Sequence, residues 1–209
     1  MKSPARKKRP PPRSRLEVDE RRAQLLALGR TIFSENAYDE VSIDGIAAAA
    51  GISKGLLYHY FPTKRDFYVA ALREIAQQLL SATLFNTGEA SVEERVRRGI
   101  ETYLDFVERR GAAYVALMRG GVGSDPEIAS VLEETRAVFL ARIVAELPPE
   151  MNTPLAKTAM AGWIGFVEAT SLDWVANRAV PLADLVDLSR TMLFDATKEV
   201  LRLQLLSKT

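Results

Sequence analysis

Apolar residues recur at helical spacing almost without a break from Val18 to Leu203, and runs that alternate apolar with polar residues are scarce. A chain patterned this way must bury its apolar surface by packing helix on helix, so the expected fold class is all-α. The first helix is expected over about Val18 to Glu35, where Leu25, Leu28 and Ile32, widened by Leu26 and Phe33, form one broad face. A longer helix opens near Thr63 with the stripe Phe67, Ala71, Ile75 and Leu79. Another begins behind Ser91, with Glu93 and Glu94 in the first turn suiting the helix dipole. Its stripe is Val92, Val96, Ile100, Tyr103 and Val107; Gly111 punctuates it and leaves Ala112 to Arg119 as a short helix. A further helix runs to about Leu147 and stops at Pro148-Pro149.

The segment Gly120-Gly121-Val122-Gly123 lacks both the spacing and the lysine of a phosphate-binding loop. It reads as a helix stop, followed by an N-cap at Ser124 or Asp125 with Pro126 and Glu127 in the next first turn. The last two helices, 154–177 and 181–207, differ from the rest. The first is apolar nearly all round from Ala159 to Val175, and the second adds Val186, Leu193 and Leu201 to its main stripe. Apolar residues on more than one face need a second surface to bury against. Gly162 and Gly165 remove bulk where a neighbour would approach. A homodimer through these two helices, as a four-helix bundle about a two-fold axis, is the expectation; two deeply buried helices of a monomer are the alternative.

Composition removes several function classes. The chain has 209 residues and no cysteine, which excludes disulfides, thiolate metal sites and cysteine nucleophiles. Its single histidine, His59, leaves little for a metal centre or a catalytic triad, so no catalytic residue, no metal site and no cofactor is expected. The N-terminus is basic and runs into Pro10-Pro11-Pro12, unlike a secretory signal, and the apolar stretch 159–175 is interrupted by Glu168 and Asp173. A cytoplasmic protein with no membrane span is expected. The net charge of +1 conceals an asymmetry: residues 1–15 carry seven basic and no acidic side chains, leaving 21 basic against 27 acidic in the remainder. A disordered basic tail at one end is suited to a polyanion, while the body carries −6.

The segment with most chemistry runs from Val41 to Lys64. Ser42 is placed as an N-cap, and Ile43, Ile46 and Ala47 form the inner side of a two-turn helix. Ala47 to Ala50 offers little bulk, Gly51 suits a left-handed helix end, and Ile52 plugs the turn. Ser53 caps a second short helix that Phe61-Pro62 ends. Two short helices across a tight glycine turn make a helix-turn-helix. The second helix presents Lys54, Tyr58, His59 and Tyr60, with Thr63 and Lys64 opening the next; hydroxyls, lysine and helix N-termini are groups that hold phosphate oxygens. Gly55 leaves room for close approach, whereas Phe61 and part of Tyr60 belong to the core.

This run resembles the DNA-binding signature of the TetR/AcrR family of bacterial regulators. The matching residues are Ile46-Ala47, Ala50-Gly51-Ile52-Ser53-Lys54-Gly55, Leu57-Tyr58, Phe61 and Thr63-Lys64. The family often reads Tyr-His-Phe where this chain has His59-Tyr60-Phe61, and Arg65 stands where an acidic residue is common, adding positive charge near the backbone. After the basic tail (1–15), which the family signature lacks, the resemblance implies a three-helix helix-turn-helix DNA-binding domain (16–62) and a helical ligand-binding and dimerisation domain (63–209). It implies contacts to a double-stranded, palindromic operator from Ser42, Ser53, Lys54, Gly55, Tyr58, His59, Tyr60 and Lys64. A small-molecule effector, apolar or amphipathic, is expected between walls from Tyr103, Phe106, Tyr114, Met118, Phe139, Trp163 and Phe166, oriented by Arg119, Arg142 and Glu168. The implied function is a ligand-responsive transcriptional repressor; the alternative is a non-specific or architectural DNA-binding protein that uses the basic tail.

Overall fold

The computed structural model describes residues 15–84, 90–120 and 125–206, with side chains from Val18 onward. Residues 1–14 of the basic tail and Ser124 lie outside them, and Arg15 begins the first helix. Among the described residues there are eight α-helices and no strand: α1 (Arg15–Glu35), α2 (Ile43–Ala49), α3 (Lys54–Tyr60), α4 (Lys64–Ala82), α5 (Val92–Arg119), α6 (Pro126–Ala145), α7 (Pro154–Asn177) and α8 (Leu182–Leu206). Short 3-10 turns stand at Tyr38–Glu40 and Pro149–Met151.

Local sequence chemistry sets where these helices begin. The side chains of Ser42, Ser53, Ser91 and Thr153 accept hydrogen bonds from the backbone N–H three residues on, opening α2, α3, α5 and α7. Asp125, one of the two expected caps, opens α6. Thr63 and Asp66 cap α4 reciprocally, each side chain taking the other's N–H at 3.0 Å. Such a cap contributes about 1 kcal/mol to its helix. Gly51, at φ +63°, closes α2: its N–H reaches the carbonyl of Ala48 and that of Ile52 reaches Ala47, both at 3.0 Å.

The helix expected at Ala112 to Arg119 is present as the second segment of α5, which joins the first across a kink at Gly111, where φ +35° and ψ −110° are not helical. A residue with a Cβ would be strained there, so the glycine interrupts the helix where the sequence placed its punctuation.

The core of the head is a cluster of Leu25, Phe33, Ile46, Leu57, Phe61, Phe67 and Tyr68. The Phe33 and Tyr68 rings meet edge to face at 4.8 Å, and Phe61 meets Phe67 at 4.9 Å. Phe67, Tyr68 and Ala71 lie beyond residue 62, so the first turns of α4 close the core of the helix-turn-helix. Ile128 and Val131 of α6 join the same cluster. Farther along, Ile100 and Leu104 of α5 pack with Trp174 of α7 and with Leu185 and Val186 of α8. The indole N–H of Trp163 donates to the carbonyl of Ser189 (2.8 Å) and that of Trp174 to Val180 (2.9 Å), pinning α7 to α8. No helix among the described residues is long and apolar enough to cross a membrane.

Candidate nucleic-acid interface and effector cavity

In α3 the two sides separate cleanly. Leu57 is buried and Tyr60 half-buried against the head core, while Lys54, Gly55, Tyr58 and His59 are exposed on the opposite side. Ser42 and Ser53 are exposed at the starts of α2 and α3. Each serine oxygen accepts from its own helix, so each O–H stays available to donate outward. Lys54 reaches back to Asp44 at 3.1 Å, which brings the first turns of α2 and α3 to one edge. A Cβ built at Gly55 meets no atom within 4 Å, so this position is open to an incoming surface.

Of the eight residues proposed from the motif, six are exposed together; Tyr60 and Lys64 are half-buried. Tyr60 turns its ring edge to His59, and Lys64 lays its ammonium 4.1 Å from the centre of the Tyr38 ring. Cation–π packing of this kind holds the lysine stem while leaving part of the charge to solvent. Phe61 is core, as its spacing indicated.

Arg65 points elsewhere than the sequence implied. Its Nε and Nη2 donate to the two carboxylate oxygens of Asp125 (2.6 and 2.7 Å), and Nη1 donates to Glu127 at 2.6 Å. Two carboxylates at the start of α6 therefore outweigh its charge. The hydrogen bonds from Arg65 hold the Asp125 carboxyl down to about 2, and the same bonds push the guanidinium up. Asp125 thus caps α6 and ties it to α4.

A cavity of about 580 Å³ lies among α4, α5, α6, α7 and α8. Its walls are mostly apolar, with Leu79, Ile100, Leu132, Met160, Ile164 and Leu193 among them. Volumes of this order accommodate drug-sized molecules. Tyr103, Tyr114, Met118, Phe139 and Trp163 line it, as do Arg142 and Glu168. Phe106, Phe166 and Arg119 do not. Phe106 lies one turn past Tyr103, where the Arg110 guanidinium covers its ring at 3.4 Å. On α7 the lining stripe is Met160, Trp163, Ile164, Val167 and Glu168, and Phe166 falls to its side. Arg119 is exposed.

Two polar groups stand in this apolar space. The hydroxyls of Tyr103 and Tyr114 share a hydrogen bond at 2.6 Å, and burial pushes both phenols upward, so they remain protonated. Beside them Arg136, which the sequence pattern did not single out, pairs its Nε with both oxygens of Glu168 (2.9 and 3.0 Å) and its Nη1 with Glu133. The spacing of Arg136 on α6 gave no sign of this; its partner is 32 residues away. Arg142 donates from Nη1 to the carbonyl of Leu80 (2.8 Å) and to the hydroxyl of Thr83 (3.2 Å), at the C-terminal end of α4.

Relatives carry the same architecture. Residues 25–71 match the family described as "Bacterial regulatory proteins, tetR family", and residues 92–194 match "Tetracyclin repressor-like, C-terminal domain". A tetR-family transcriptional regulator from Streptomyces coelicolor superposes with a TM-score of 0.70 and 32% identity, covering 85% of this chain and 79% of that one. The chain belongs to the TetR family. The HTH-type transcriptional activator FasR of Mycolicibacterium smegmatis is 32% identical over 120 residues, which is 56% of this chain and 54% of FasR, so the chain spans about half that relative's length. The HTH-type transcriptional regulator BetI of Cronobacter sakazakii is 26% identical over 153 residues, 71% of this chain and 76% of BetI. TetR-family proteins are DNA-binding transcriptional regulators and not enzymes, typically dimeric and responsive to small-molecule effectors. These relatives give no support to the architectural alternative.

Proposed function

We propose that this TetR-family chain is a homodimeric repressor that leaves a palindromic operator when a small amphipathic effector fills the cavity among α4–α8. The observation that carries it is the double use of α4. Its first turns, through Phe67 and Tyr68, complete the core under the helix-turn-helix, while Leu79 and Thr83 of its last turns line the cavity. One rigid helix thus belongs to both sites. An effector that prefers a different placement of α4 lowers operator affinity by its differential binding free energy.

The exposed side of α3 and the start of α2 form the operator face, with Lys54, Tyr58, His59 and the hydroxyls of Ser42 and Ser53 toward the duplex. The dimer forms through 154–177 and 181–207. On α7 the outward stripe is Thr158, Ala161, Gly162, Gly165 and Ala169, all small; on α8 Leu188 and Met192 are 48% and 43% exposed. A Cβ built at Gly162 or Gly165 meets nothing within 4 Å, so a second copy can approach there closely. Repression by occlusion needs no further surface, whereas activation requires a docking face for polymerase; the relative FasR bears the name of an activator.

The test is selection of binding sites from random duplexes, then titration of the selected duplex against a scrambled one at fixed salt. Recovery of an inverted repeat with half-sites about one helical turn (~34–36 Å) apart, bound about 1,000-fold or more above the scrambled duplex, supports the proposal. Equal affinity overturns it. A reporter placed behind the selected site separates repression from activation by the direction of its change when the regulator is removed.

A further inference from the structure

We infer that the effector is an amphipathic monoanion, carboxylate-headed, whose charge is received by Arg142 while its apolar body fills the cavity. This rests on the effector reading above and names the chemistry of the molecule. Three arginines line the cavity, and two of them are already neutralised. Arg95 is paired with Glu146 and also donates to the carbonyl of Ala90. Arg136 is held by Glu168 and Glu133. An anion approaching either would meet the resident carboxylate first.

Arg142 differs. Among the described residues no carboxylate lies within ion-pair distance of it. Its hydrogen bonds go from Nη1 alone to two uncharged acceptors, the Leu80 carbonyl and the Thr83 hydroxyl. Nε and Nη2 donate to no described protein atom, neither is fully buried, and the residue lines the cavity. Around the guanidinium are Phe139, whose ring centre is 5.9 Å away, and the apolar walls of Leu79 and Ile143. A guanidinium whose Nε–Nη2 edge meets no described acceptor, on the wall of an apolar cavity, matches the planar fork of a carboxylate. The paired hydroxyls of Tyr103 and Tyr114 are uncharged and suit at most a neutral polar group on the body, and Thr135, Thr197 and Trp163 already donate to backbone carbonyls.

The position also connects the site to α4. Arg142 holds the last turn of that helix through the Leu80 carbonyl, where a cation is favoured by the helix dipole. A carboxylate engaging the same guanidinium competes with that tie.

The test uses full-length protein and calorimetric titration at neutral pH with two carboxylates of different body, decanoate and naphthalene-2-carboxylate. Each is compared with its neutral alcohol, 1-decanol and 2-naphthalenemethanol, below any micellar concentration. At least one carboxylate is expected to bind about tenfold or more tightly than its alcohol, the scale of a charge-assisted pair. In Arg142→Gln the preference is expected to fall to within about twofold, and in Arg142→Lys, which keeps charge without the fork, to survive in part. Thermal unfolding of each variant establishes that it is folded. Binding of neither carboxylate, equal binding of the alcohols, or a preference that survives Arg142→Gln overturns the inference. Operator release is measured separately: carboxylate binding that depends on Arg142 supports this site even when DNA stays bound, and in that case the effector reading alone fails.

Discussion

The same substitution, glycine to alanine, is expected to have opposite effects at Gly29 and Gly55. In helix interiors alanine is favoured over glycine by about 0.8–1.0 kcal/mol. At Gly29, in the middle of α1, that gain meets an obstruction: the new Cβ would lie 2.8 Å from the Phe67 ring and 3.0 Å from the Ala71 methyl. Phe67 is fully buried and fixed by the rings of Phe33 and Phe61, so it cannot swing aside. Overpacking of this kind costs about 1–3 kcal/mol, which exceeds the propensity gain by roughly 1 kcal/mol. For a chain of this size the midpoint falls by about 2–4 °C. At Gly55 nothing opposes the gain, though its place in the first turn of α3 reduces it to about 0.5 kcal/mol, a rise of about 1–2 °C. Binding reverses the order: Gly55→Ala puts a methyl on the open side of α3 and is expected to weaken operator binding several-fold, despite the stabler fold. Thermal unfolding at one fixed protein concentration and DNA anisotropy read the two effects. A rise in midpoint for Gly29→Ala would refute the packing argument, and unchanged DNA affinity for Gly55→Ala would refute the assignment of the face.

Three further outcomes are expected. Asp44→Asn releases Lys54 and removes a negative charge from the same edge, tightening DNA binding by about 2–5-fold at low salt and less at high salt, as anisotropy across a salt series will read. Lys64→Ala is expected to weaken binding to every sequence and lower the salt slope by about one, with Lys64→Met reporting separately on the packing over Tyr38. Asp125 has a depressed folded value of about 2 against an ordinary 3.8, so its contribution is full above about pH 4 and lost as pH falls toward 2. Unfolding followed across that window in the native protein and in Arg65→Met will show that limb flattened in the variant.

Much of the fold was legible because its signals are local. Ser42, Ser53, Ser91 and Thr63 stand where helix starts need an acceptor, and Gly51 stands where the chain must turn left-handed; each is decided within four residues. The exposed side of α3 was readable for the same reason, since seven residues leave only one side for Leu57 and Tyr60 to bury. The cavity was legible only in part. Tyr103, Tyr114 and Trp163 share helical stripes with plain core residues, and what separates a lining side chain from a packed one is the position of neighbouring helices. Phe106 shows one limit, since periodicity does not say where along a helix the space ends, and Phe166 shows another, since an all-apolar helix does not say which side the space lies on. The partners of Arg65, Arg136 and Arg142 were the least readable, because they lie 60 to 62, 32 and 59 to 62 residues away.

Those long-range partners share a pattern that constrains any movement of α4. Arg65 is tied to Asp125 and Glu127, Arg73 to Glu134, and Leu80 with Thr83 to Arg142. Residue numbers rise together on both helices, so α4 and α6 run parallel and are tied at the beginning, middle and end. A slide of α4 along α6 would have to break all three at once. A tilt needs to break only one end and can pivot on the other. The two ends are unequal: Arg65 makes three charge-assisted bonds to two carboxylates, whereas Arg142 makes two bonds to uncharged acceptors. The end that faces the cavity therefore has the weaker tie, and a tilt would pivot on the end that joins the DNA head. Under the proposed mechanism, a change at Thr83 would tilt α4 about Arg65 and shift the helices packed on Phe67 and Tyr68.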